Sequence, residues 1–151
     1  MKPKYQPHTN TELDRASFSP GEATYSFEEL IENGALIKVT SWVTREMGFA
    51  KGHYRVHVAM TVKLWQVLHR IPKELTFFQT VRGRGHDVLW LAGWALQQAR
   101  RNGMEHVKYL AVLPTHEDEE DVKLLRVECG ESGDRQAPVV IGLPEEFPVI
   151  Y

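Results

Sequence analysis

A chain of 151 residues, 42% hydrophobic and 25% charged, has the make-up of one ordinary globular domain that can bury a core without cross-links. Its net charge of −2 disfavours a dedicated nucleic-acid binder, and its longest apolar run, Val88 to Leu96, is far short of a bilayer span, so no membrane partner is expected. The single cysteine, Cys129, has no internal disulfide partner, and the opening residues show no apolar signal segment; together these suit a cytoplasmic protein.

In chain order, residues 1–23 are rich in Pro, Ser, Thr and charge without a period and read as a flexible tail, leaving 24–151 as a single domain. Structure should begin at "YSFEELIENG". Ser26 followed by Glu29 fits a capping box, Phe27, Leu30 and Ile31 give an apolar side, and Gly34 stops the helix. "ALIKVT" then reads as a short strand and "SWVTREMG" as a helix of about two turns ending at Gly48. In "HYRVHVAM", Tyr54, Val56, Val58 and Met60 alternate with His53, Arg55, His57 and Ala59, the pattern of a strand with one buried face. Thr61 caps a helix over "VKLWQVLHR" that Pro72 ends, and "KELTFFQTV" is either a loop or a short strand.

The next segment, "RGRGHDVLWLAGWALQQARR", predicts the longest helix, about 86–101, entered through a flexible Gly-Arg-Gly lead-in and closed by Asn102-Gly103. After it come "HVKYLAVL", "VKLLRVEC" and "APVVIGL", three strands joined by "PTHEDEED" and by a hairpin turn in "GESGDRQ". The whole is an α+β fold: helices and short strands first, then a long central helix packed on a C-terminal antiparallel three-stranded meander.

On a wheel of that central helix, Val88, Leu91, Ala92, Ala95 and Ala99 share one side, with small residues that suit close packing on a sheet. Trp90, Trp94, Gln97 and Arg101 share the other. The tryptophans are either covered by the earlier helices or, with Arg101, form an interface for a protein partner or a second copy, where tryptophan is a favoured anchor. The charge is uneven: residues 61–108 hold eight Lys/Arg against three Asp/Glu, whereas 109–151 hold three against ten. Arg82, Arg84, Arg100, Arg101 and Lys108 are therefore the candidates for an anion or nucleic-acid surface, an alternative to protein binding. "RGRGHDVL" lacks the Lys and Ser/Thr of a phosphate loop, which weakens that alternative.

Other clusters point to little chemistry. On a strand His53 and His57 stand about 13 Å apart, too far to share one ion, and no Cys–His set for zinc exists. "HEDEED" lacks the spacing and turn glycine of a calcium loop, so neither metal nor cofactor is expected. Asp121-Val-Lys123 matches only three residues of a nuclease-like pattern, in acidic surroundings. Cys129 sits on an expected strand beside Val127 as a buried, inert thiol. No catalytic constellation can be assigned.

"ENGALIKVTSWVTREMGF", "HVAMTVKLW" and "HDVLWLAGWAL", with "LLRVE" and "PVVIGLPEE" near the end, resemble an uncharacterised small bacterial family, a domain of unknown function common on plasmids, phages and other mobile elements. The matching positions include Gly34, Leu36, Val39, Thr40, Gly48, Phe49, Val58, Ala59, Thr61, Trp65, Val88, Leu89 and Trp90, and the likeness spans residues 26–146. Thr44, Lys38 and His57 depart from the pattern. The resemblance implies a fold and a genomic setting but no reaction. Its polar matches, Arg45, Glu46 and Asp87, together with the neighbouring His86, are the candidates for a shared pocket, and only their convergence would favour an enzyme. The order of expectation is a protein-binding accessory protein first, an anion or nucleic-acid binder second, an enzyme last.

Overall fold

Ser26 Oγ accepts from the Glu29 amide at 3.1 Å, and the Glu29 carboxylate accepts from the Ser26 amide at 2.9 Å. This reciprocal box starts α1, Phe27–Glu32, as the sequence suggests. Gly34, at φ +87°, then turns the chain where a side chain would be strained. The computed structural model describes residues 25–46, 57–116, 121–130 and 137–147. The expected tail, His53, Gly48 and most of the last turn lie outside these.

Beyond α1 the elements are β1 (Leu36–Lys38), α2 (Thr40–Glu46), β2 (Val58–Thr61), α3 (Val62–His69), a 3-10 turn (Lys73–Leu75) and α4 (Val81–Arg101). β3 (His106–Val112), β4 (Val122–Glu128), β5 (Val139–Gly142) and a last 3-10 turn (Pro144–Glu146) follow. The fold is α+β, and β3, β4 and β5 form the expected antiparallel meander. They are not a separate sheet, however. β2 pairs β5 in parallel, with Ala59 opposite Val140, and β1 pairs β2 antiparallel, so five strands run in the order β1-β2-β5-β4-β3.

That parallel pairing corrects the reading of β2. A half-buried strand was expected, but all of Val58, Ala59, Met60 and Thr61 are buried, because β2 lies inside the sheet with helices on both faces. Val58 and Met60 join the main core under α3 and α4, whereas Ala59 joins a smaller core with Phe27 and Leu30 of α1, Leu36 and Val140.

The Gly-Arg-Gly stretch is also corrected, for it is helical: α4 begins at Val81, five residues before the expected start. Two glycines cost a helix about 1 kcal/mol each. Three features offset that cost. Thr80 caps the helix, its hydroxyl accepting from the Gly83 amide at 2.9 Å. Arg84 is tied down by four oxygens, described below. Gly85 leaves room for the Trp42 indole of α2, since a Cβ there would lie within 2.8 Å of Trp42 Cζ3 and closer still to Cη2. Farther on, Ala92, Ala95 and Ala99 are buried and let the helix settle on β3 and β4.

Candidate interaction surface

The helix layer determines which side of α4 remains open. α3 lies over β1, β2 and β5, and α4 over β3 and β4. On the flank of α4 toward α3, Leu89, Gly93 and Leu96 are buried. On the flank that overhangs β3, at the end of the sheet, Leu91 is 37% exposed and Trp94 54% exposed. Trp90 is different: it is half-buried against the main core and meets Trp94 edge-on, with ring centroids 6.1 Å apart. Trp90 therefore supports and Trp94 projects. Arg101, two turns beyond Trp94 and also exposed, lies on the same side.

The outer face of the sheet carries a second apolar area. α1 and Phe147 cover its β1-β2-β5 half. Among the described residues no helix covers the β4-β3 half, and there Leu110 faces Leu124 and Val112 faces Val122 across the ladder. Leu110 is 60% exposed and Val112 66% exposed. The boundary is Arg126, whose guanidinium sits 5.0 Å from the Phe147 ring centroid and 2.8 Å from a Glu128 carboxylate oxygen. The sequence holds the signal, because β3 and β4 carry apolar residues on both faces. A third feature went unread: Phe77 and Phe78, 91% and 83% exposed, stand on the turn between α3 and α4. No period marked that segment.

The basic candidates do not share a surface. Arg84 is buried, donating from Nε to Gln79 Oε1 at 2.9 Å, from Nη1 to the Val67 and Arg70 carbonyls at 3.0 and 3.4 Å, and from Nη2 to the Pro114 carbonyl. Val67 and Arg70 close α3, so the guanidinium caps the negative end of that helix and binds it to the end of β3. Burial lowers the Arg84 pKa, without removing a charge that arginine keeps throughout the working range. Arg82 is exposed in the first turn of α4, and half-buried Arg100 lies about 27 Å farther along the helix. Lys108 belongs to the opposite, outer face of the sheet.

The polar pocket candidates differ in exposure. Arg45 and Asp87 are exposed, His86 is half-buried, and the Glu46 side chain lies outside the described residues. α2 meets α4 through Trp42 on Gly85, an apolar contact. Among the described residues no group of three or more His, Cys, Asp or Glu is placed to hold a metal ion, and no helix is long and apolar enough to cross a membrane. Cys129 is buried, its thiol directed at the Met104 and Glu105 carbonyls at 3.5 and 3.4 Å. Burial pushes its pKa up, which makes it a poor nucleophile. Glu146, largely buried, accepts from the Thr61 hydroxyl at 2.5 Å and the Leu143 amide at 3.0 Å, across Gly142, where a Cβ would meet Thr61. That arrangement holds the last turn to β2 and β5. No family model, curated protein or solved structure matches the chain.

Proposed function

We propose that this protein works by binding another protein, a second copy of itself being the simplest partner, through the open flank of α4. One observation carries the reading: Trp94 is more than half exposed on a rigid helix, held by Trp90 and flanked by Leu91. A tryptophan pre-positioned in this way buries a large apolar area on docking and loses little side-chain freedom. Taken with the resemblance in the sequence, this is the work of an accessory protein of a mobile element. An anion or nucleic-acid role has less support, because Arg84 is buried, Arg82 and Arg100 stand about 27 Å apart along α4, and Lys108 lies on the outer face of the sheet; a catalytic role has less again.

Sedimentation velocity over a range of concentrations tests the reading, comparing wild type with Trp94→Asp. Self-association in the wild type, lost in a variant with unchanged circular dichroism, supports it. A wild type that stays monomeric throughout counts against the second copy, and an associating variant counts against Trp94.

A further inference from the structure

β3 is the last strand of the sheet: it pairs β4 on one side, and among the described residues nothing pairs its other side. The open flank of α4 lies above that free side, and Leu110 and Val112 lie below it on the outer face. Apolar surface thus wraps around an unsatisfied strand edge. Edge strands usually defend themselves by being short, by proline, by a bulge or by several charges. β3 runs seven residues in unbroken register with β4, contains no proline, and has Lys108 as its one fully charged side chain.

We infer that a second copy of this chain docks here, the two β3 strands pairing antiparallel about a two-fold axis into one ten-stranded sheet. Leu91 and Trp94 of both copies then meet above the seam. The inference rests on the protein-binding reading and names its partner. Two observations carry it. First, a two-fold axis normal to the sheet keeps each face on its own side. Leu110 and Val112 gain apolar cross-strand neighbours, and the α4 flanks meet each other.

Second, the apolar area approaches what a stable dimer needs. The exposed parts of Leu91, Trp94, Leu110 and Val112 amount to about 400 Å² per copy, so about 800 Å² for the pair. The strand backbones and the polar rim raise the total toward the roughly 1,200 Å² at which standard stable interfaces begin.

The test is light scattering on the full chain with amide hydrogen exchange of β3, comparing wild type, Leu110→Lys/Val112→Lys and Trp94→Ala. Both lysines replace exposed side chains, so the fold tolerates them. The expected result is a wild-type dimer in which outward β3 amides exchange at least about tenfold more slowly than in a monomeric double-lysine variant. A double-lysine variant that remains dimeric overturns the inference. So does a dimer lost in Trp94→Ala whose outward β3 amides exchange equally fast in both states; that outcome leaves the protein-binding reading standing. A monomer with β3 amides already protected places a segment of the same chain on the edge and also overturns it.

Discussion

Replacing Arg84 with methionine removes a buried guanidinium that ties three parts of the fold together. Its donors serve the Val67 and Arg70 carbonyls at the end of α3, the Pro114 carbonyl beyond β3, and Gln79 ahead of α4. Methionine fills much of the same volume and satisfies none of them. The Val67 and Pro114 bonds are the buried ones, and a buried carbonyl left without a donor costs about 1–3 kcal/mol. Two such acceptors with a partly exposed third amount to several kcal/mol. Relief from burying a positive charge among neutral oxygens offsets part of this, leaving a net loss of roughly 3 kcal/mol, comparable to breaking other buried charged networks. Urea unfolding followed by circular dichroism reads it as a lower midpoint at unchanged slope. Arg84→Lys, which keeps the charge but not the fork, should fall between wild type and Arg84→Met. A loss below about 1 kcal/mol for Arg84→Met would refute the reasoning, since Arg84 would then not be structural.

Gly85→Ala should destabilise, although alanine is better by about 1 kcal/mol in an exposed helix, because overpacking against the stiff Trp42 indole costs about 1–3 kcal/mol; thermal melts showing stabilisation would contradict the contact. Burial raises the Glu146 pKa above its ordinary value, so as pH rises the unfolded chain loses this proton first and the native state loses stability across the window between the two values. Glu146→Gln, which can still accept from Thr61 and Leu143, should therefore gain relative to wild type as pH rises above the ordinary glutamate value; a difference independent of pH in denaturation series would contradict that. Phe77→Ser/Phe78→Ser should leave unfolding within about 0.5 kcal/mol of wild type, both rings being almost wholly exposed; a larger loss would mean that the rings have partners.

Local chemistry was the most legible layer. The Ser26–Glu29 box, the Thr61 cap and the order of the last three strands rest on neighbouring residues, and the structure contains them. What depends on distant partners was not legible. The pairing of Ala59 with Val140 joins residues far apart in sequence, so β2 read as half-buried when it is an interior strand covered on both faces. The start of α4 was hidden because Gly83 and Gly85 disfavour a helix, and their compensation comes from Thr80, from Trp42 on α2 and from carbonyls of α3 and the β3 end. The wheel grouped Trp90 with Trp94, but only the packing separates a supporting indole from a projecting one. Arg84 read as a surface cation because charge alone does not show that several carbonyls converge on it.

Light scattering with thermal melts on Trp90→Ala and Trp94→Ala tests the central claim most directly. The account predicts opposite signatures. Trp94→Ala halves the wild-type mass and leaves the melting temperature of the monomer near that of a well-folded domain. Trp90→Ala loses core packing and melts several degrees lower. A Trp94→Ala protein that keeps the wild-type mass, or that unfolds as readily as Trp90→Ala, would contradict it.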